Sequence, residues 1–400
     1  MSSKTEITGR GIVSSLGSTV AGFEAALFSG ACGIGDVGDL VPGLKFGNGA
    51  PVRDFDPSAH FDVKTQAHLD RYTQMAAVAA RAAWAEAGFA ADPPAPHRVA
   101  VIVGTANTGI DATSAAFRKI FVDGQKPSPF TIPQIMGSAP ASRIARELGA
   151  KGPVFGVTSA CASAGHAMLV GEGLIRAGIV DVAVVGGTDS CFDLGLLKAW
   201  EALRVVSTDT CRPFSIGRKG LIMGEGAGIL VLERAGRAAA RGARVLGRWL
   251  GAGMSSDAGD IVAPDPEGMK AAMRAALADA GLPPSAVGWV NAHGTGTVFN
   301  DKCESAAVVD VFGPNPPPVS AVKSQVGHAM GAAGAIEVIA TLAGLNRGML
   351  SPTLNFLGPD PDCPVDAVTE GPRAAEIEVA IKNSFAFGGL NLSIILGRGD

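Results

Sequence analysis

Three observations predict an α/β protein with largely parallel sheets. Strand-like runs such as RVAVIVGT, DVAVVGG and AGILVLE alternate with helix-like stretches, the order that builds strand-helix-strand units. These runs are apolar without interruption, so burial on both faces is expected. Near residue 250 the order begins again, and in each half a reactive residue follows such a strand. Two stacked sheets with helices between and outside them satisfy this pattern.

In order, residues 5–14 read as a strand, 19–29 as a helix, 70–87 as a long helix ending at Gly88, and 98–105 as a buried strand. Helical patterns cover 137–148 and 162–177, and VFGVTSA, DVAVVGG and AGILVLE read as two-sided strands. The second half offers a strand over 243–254, a helix over 267–280 closed by GLPP, and the strand VGWVNAH. A helix over 301–312, the strand PVSAVKS, an Ala/Gly-rich helix over 331–346 and the strands EVAIKNS and LSIILG complete it. No low-complexity linker divides residues 1–250 from 251–400, so the halves are expected to form one rigid unit.

Composition excludes several classes. Hydrophobic residues make up 47% of the 400 and charged residues 18%, enough for a large core and a surface of low charge. The formal charge is −4 and no long basic run occurs, which argues against nucleic acid and membrane surfaces as partners. The N-terminus lacks the apolar core of a secretory signal and no stretch is long enough to span a bilayer, so a cytoplasmic location is expected. The six cysteines are scattered without metal-ligand spacing. Five of them read as small buried side chains, and no metal site is expected.

Cys161 differs because of its neighbours. In GPVFGVTSACASAGHAML an apolar run stops at the thiol and a small-residue helix follows, whose positive end favours thiolate over thiol. VGWVNAHGTGT presents His293 by the same design, and VSAVKSQVGHAMGAAGAIE presents Lys323 and His328. Glycines crowd these junctions. The segment MGEGAG is not a phosphate loop, since it lacks GxxxxGK[ST] and runs into a strand. His60, His68 and His97 lie in polar segments and read as surface groups, while His166 reads as packed within the helix after Cys161.

A cysteine with two histidines serves proteolysis, redox exchange or acyl transfer. Proteolysis asks for one base histidine with an orienting Asn or Asp, and redox chemistry for a nearby resolving cysteine. Two histidines and a lysine suit carbon-carbon bond formation better, because neutral imidazole N–H donors stabilise an enolate oxygen. Six ordered segments carry a resemblance that spans residues 5–398: SACASAGHA, RPFSIGRKGLIMGEGAG, GMSSDA, NAHGTGTVFND, KSQVGHAMGAAGAIE and NSFAFGGLN. The chain resembles the β-ketoacyl-[acyl-carrier-protein] synthases of the thiolase superfamily, of the elongating Cys-His-His type shared with type II polyketide ketosynthases.

That resemblance implies a thiolase-like fold, two similar halves giving a layered α-β-α-β-α sandwich. It implies that Cys161 takes an acyl group from acyl carrier protein and that malonyl carrier protein then loses carbon dioxide to form the attacking carbanion. His293 and His328 would stabilise the enolate, with Lys323 hydrogen-bonded near His328 and Glu337. The amides of Cys161 and Phe387 would form a second oxyanion hole, with Phe385 and Phe387 in a mobile gate. Thr295 and Thr297 match positions that bind the phosphopantetheine arm. No bound cofactor is implied, and a homodimer or a heterodimer with a related subunit is expected through the sheet edge near the strand before Cys161.

The sequence also departs from the family. Ala386 and Leu390 replace the usual glycine and threonine of the gate, and Lys219-Gly220-Leu221 replaces Asp-Gly-Phe. Asn107 stands where an acyl-pocket wall is expected, a polar neighbour for a saturated chain, and Trp200 is expected to close the pocket's end. Lys64 and Lys126 are the candidate carrier-docking cations in an otherwise weakly basic surface. These departures predict a synthase for a specialised fatty-acid, polyene or polyketide pathway rather than housekeeping elongation. A non-catalytic chain-length-factor partner would lack Cys161, a thiolase would carry a second cysteine near NSFAFGGLN, and an initiating synthase would have Asn for one histidine.

Overall fold

The main sheet has ten strands, apart from two short two-stranded pairs: from the first half β1 (Thr5–Val13), β2 (Val99–Gly104), β3 (Val154–Val157), β4 (Val182–Asp189) and β5 (Gly226–Arg234), and from the second β6 (Gly247–Ser256), β7 (Trp289–Asn291), β8 (Val319–Ser320), β9 (Val379–Ala386) and β10 (Leu390–Arg398). The longer helices are α1 (Val20–Ser29), α2 (Arg71–Ala87), α3 (Ile110–Phe121), α4 (Ala139–Leu148), α5 (Ser163–Arg176), α6 (Leu194–Leu203), α7 (Pro266–Ala280), α8 (Val298–Phe312) and α9 (Ala333–Arg347). These belong to a computed structural model that describes residues 5–90 and 92–400.

The two halves repeat one topology. The strands run β8-β7-β9-β10-β6-β1-β5-β4-β2-β3, so from the seam outward each half follows the order first, last, fourth, second, third. In each half the first two pairings are antiparallel and the outer two parallel. The halves join where Thr5–Ile7 pairs antiparallel with Gly247–Trp249.

Strand alternation explains the layers. Ala100 and Ile102 of β2, Val185 of β4 and Leu230 of β5 face a central core shared with Met168 of α5 and Ile339 of α9, while Val101, Val184 and Val231 face an outer core against α2 and α4. In the second half Ile394 of β10 faces the central core and Ile395 the outer one against α7 and α8. The apolar runs are thus period-2 strands with two buried faces. Both halves admit their outer helix by leaving out side chains at equivalent strands. A Cβ on Gly11 of β1 would stand 1.8 Å from the Ala79 carbonyl oxygen of α2, and one on Gly253 of β6 would stand 2.3 Å from that of Ala272 in α7.

Four expectations change. The sheet is mixed rather than largely parallel, because the five pairings about the seam are antiparallel and only the four outer ones are parallel. β3 is the outermost strand and Phe155 is 38% exposed, so VFGV is not buried on both faces. PVSAVKS is extended only at Val319–Ser320, because the chain turns into the short helix Lys323–Val326. Helices α3 and α6 were not read from the pattern, although Asp193 caps α6 by accepting from the Leu196 amide, a signal visible in sequence.

Candidate active site

Cys161 stands between β3 and α5, two residues ahead of the helix's first residue. Ala160 is held in the left-handed region at φ 49°, an uncommon conformation for a residue with a side chain. The Ser163 hydroxyl fixes the turn by donating to the Ala160 carbonyl at 2.6 Å and accepting from the Ser159 amide at 2.9 Å. The helix alone was expected to favour thiolate. Burial is the larger effect here and, with Asp189 adding to it and Lys323 opposing, pushes the thiol up to about 11. The resting group is the thiol.

His293 follows β7, and the Glu304 carboxylate of α8 accepts from the His293 and Gly294 amides, both at 2.8 Å. The Lys323 ammonium donates to the His293 carbonyl at 2.6 Å and lies 3.2 Å from its Nδ1. A charged lysine has no acceptor, so Nδ1 is the acceptor and Nε2 carries the hydrogen. Lys323 also pairs with Glu337 Oε1 at 2.5 Å. The expected neighbour of Lys323 was His328; its ring partner is instead His293, because the Lys323–Val326 turn carries the ammonium beneath the loop after β7.

His328 Nδ1 accepts from the Met330 amide at 3.2 Å, so its Nε2 also carries the hydrogen, and that atom is buried without a partner. The two rings lie edge to face with centroids 5.4 Å apart. Burial first, and then Lys323, holds both histidines well below the ordinary imidazole range. Both are neutral N–H donors.

Cys161, His293 and His328 line one cleft of about 690 Å³ measured out to its mouth, with Thr295, Thr297, Phe385 and Phe387 in its wall. The Thr295 and Thr297 hydroxyls are 2.8 Å apart. Phe387, Gly388 and Gly389 form the three-residue turn between β9 and β10, with both glycines at positive φ, and the Gly388 amide donates to the Ile261 carbonyl at 2.8 Å. Trp200 stacks on Phe387 at 5.9 Å. It also lines the cleft that holds Cys161. Asn107, in contrast, is not in the cleft wall, because its amide turns onto the Cys191 sulfur at 3.4 Å. Lys64 and Lys126 are exposed in neighbouring segments, and His68 packs on Phe130 between them at 3.9 Å. His166 is half-buried, 2.7 Å from the Ser159 hydroxyl.

Several residues of this site were missed from sequence. Asp189 ends β4 and accepts from Thr105 Oγ1 and from the amides of Ala106, Asn107 and Gly331, tying the first half to the turn that holds His328. Glu304 is wholly buried and burial raises it to about 7; it lies three residues beyond the quoted NAHGTGTVFND. Lys382 is 1% exposed and pairs with Glu337 Oε2 at 2.9 Å. A lysine inside the apolar run EVAIKNS was its available signal. The arrangement combines an acylatable thiol with two N–H donors aimed into one cleft, the elements for holding a thioester and an enolate together.

The chain matches the family description "Beta-ketoacyl synthase, N-terminal domain" over residues 3–238 and "Beta-ketoacyl synthase, C-terminal domain" over 246–357. It is 41% identical over 395 residues to Nodulation protein E of Rhizobium sp. (strain N33), covering 98% of each chain. It is 34% identical over 401 residues to 3-oxoacyl-[acyl-carrier-protein] synthase 2 of Staphylococcus aureus, covering 97% of this chain and 99% of that one. Among solved structures, the ishigamide ketosynthase/chain length factor superposes with a TM-score of 0.94 at 35% identity, covering 100% of both chains. The chain belongs to the β-ketoacyl synthase family: it has the thiolase-like ketosynthase fold and is a condensing acyltransferase.

Proposed function

We propose that this β-ketoacyl synthase carries out the condensation with Cys161 as nucleophile and His293 and His328 as enolate donors, on an acyl chain of a specialised pathway. The Cys161 sulfur attacks an acyl thioester on the phosphopantetheine arm, and the carrier thiol leaves with the proton. The charge on the carbonyl oxygen is met by the amides of Cys161 and Phe387. Thr295 and Thr297 hold the arm of an incoming malonyl carrier protein, and carbon dioxide leaves as the enolate oxygen is bound by the two Nε2–H groups. The enolate carbon attacks the Cys161 thioester, a carbon-carbon bond forms, and the carbon-sulfur bond breaks to return the thiol after protonation. No bound cofactor enters. The observation that carries this reading is one cleft lined by a thiol and by two neutral imidazoles whose hydrogens lie on Nε2.

The likeness to Nodulation protein E and to a ketosynthase/chain length factor supports a specialised pathway over housekeeping elongation. So do the substitutions Ala386 and Leu390 at the turn between β9 and β10. A carrier protein docks near Lys64 and Lys126. The open edge of β3 and the exposed side chains of Phe117 and Phe121 on α3 support pairing with a second copy or a related subunit. Among the described residues no helix is long and apolar enough to cross a membrane, in keeping with a cytoplasmic enzyme.

Intact-mass measurement of Cys161 acylation across a panel of acyl carrier proteins, followed by malonyl carrier protein, tests the reading. Loading of unsaturated or functionalised chains and their conversion to 3-oxoacyl products is expected. Preference for ordinary saturated chains on the housekeeping carrier would overturn the specialised assignment, and failure of any chain to load on Cys161 would overturn the nucleophile.

A further inference from the structure

Behind the two imidazoles lies a charge that the reaction above does not use. Lys382 is the fourth residue of β9 and faces the central layer, where it pairs with Glu337 Oε2 at 2.9 Å and with the Ser384 hydroxyl. The other oxygen of the same carboxylate holds Lys323. Lys323, Lys382 and Glu337 are each 1% exposed. Burial lowers the pKa of Lys382 while Glu337 opposes that; with both ammonium groups charged, two cations on one buried carboxylate leave one net positive charge, an expensive arrangement in a dry interior unless something uses it. The fourth residue of β4, which occupies the corresponding place in the first half, is Val185 within the apolar core. An apolar side chain therefore fits such a strand, and the fold does not call for a cation.

We infer that Lys382 is a positioning residue of the condensation: by sharing Glu337 with Lys323 it keeps the chamber behind the site net positive and so holds His293 and His328 as neutral N–H donors. An imidazolium there would be a third cation in the same chamber. Lys382 and Lys323 both act on each ring in this direction, after burial itself. The other charged or titratable groups around the rings are directed elsewhere. Glu304 accepts from the His293 and Gly294 amides, Asp301 from those of Phe214 and Gly296, and Asp189 from the 105–107 loop and Gly331. Cys161 is a thiol. The inference rests on the proposed roles of the two histidines.

The test is the pH profile of condensation in Lys382→Gln, Lys382→Met and Lys382→Arg, each checked for Cys161 loading by intact mass. Removing the positive charge makes imidazolium easier to form, so protonation begins at a higher pH. The acid limb should move toward neutrality in both neutral variants, by on the order of one pH unit, and return in the arginine variant. Lys382 also acts on the Glu304 carboxyl, which is itself raised to about 7, so each variant is also compared in a Glu304→Gln background, where the acid limb carries no titration of that carboxyl. An unmoved acid limb in a loaded, folded neutral variant would overturn the inference, as would an arginine variant that shifts with the neutral ones. If both neutral variants fail to fold while the arginine variant behaves normally, the charge serves the fold and the inference also fails. Should the wild-type enzyme load Cys161 yet never condense, the fault lies with the reaction proposed above.

Discussion

β4 and β9 hold the same place in their halves, have eight residues each and are buried throughout, yet they differ in chemistry. VAVVGGTD stays apolar or small until Thr188 and Asp189 at its end, whereas VAIKNSFA places Lys382, Asn383 and Ser384 in its middle. Asn383 reaches Glu304 at 3.2 Å and Lys382 reaches Glu337. The repeated topology carries different chemistry: the first half mounts one thiol on a largely apolar strand ending in the buried Asp189, and the second carries both histidines and the Lys323–Glu337–Lys382 cluster. A polar interior of this kind is tolerated only when its groups satisfy one another.

Cys161→Ala should break the comparison most completely, because it removes the one reacting atom of the first half. Acyl loading followed by intact mass should vanish while the fold is retained. His293→Ala or His328→Ala should leave loading measurable but lower condensation roughly 10²–10³-fold, the loss typical of one oxyanion donor; equal loss of loading would mean the second half also serves acylation. Glu337→Gln leaves Lys323 and Lys382 without their counter-charge, and denaturant unfolding should show a loss of about 3–5 kcal/mol.

Glu304 gives the comparison a pH axis. Burial holds its carboxyl at about 7, above the ordinary value, so the folded state takes up a proton. Its contribution to stability is full below the unfolded value and is lost as pH rises through about 7. Glu304→Gln should flatten the fall in unfolding free energy over that window, and an unchanged slope would count against it. The smallest effect tests what the halves share. Gly11→Ala and Gly253→Ala each push a methyl into a helix carbonyl and should cost similar amounts, about 1–3 kcal/mol, by thermal unfolding. A large difference would mean that the two helix-on-strand contacts are not equivalent.

Much of this was legible in the sequence because it is local. Uninterrupted apolar runs mark strands with two buried faces, Gly88 marks the end of α2 with φ 71°, and the thiol and both imidazoles announce themselves at glycine-rich junctions. Where the pattern misled, a neighbour decided. VFGV reads like VAVVGG, but only its place at the sheet edge leaves Phe155 open. Asn107 is held out of the cleft because Cys191, 84 positions later, receives its amide.

The amino-acid order by itself determined the repeated strand-helix architecture, the choice of Cys161, His293, His328 and Lys323 as the proposed reactive set, and the membership of a condensing family. Periodicity, turn chemistry and short motifs are properties of adjacent residues. Only the tertiary structure decided which imidazole Lys323 touches, which nitrogens carry hydrogen, that burial outweighs the helix at Cys161, and that Lys382 shares the carboxylate of Glu337. Those are properties of distance and desolvation between segments far apart in the chain, and they exist only once the central layer has closed around them.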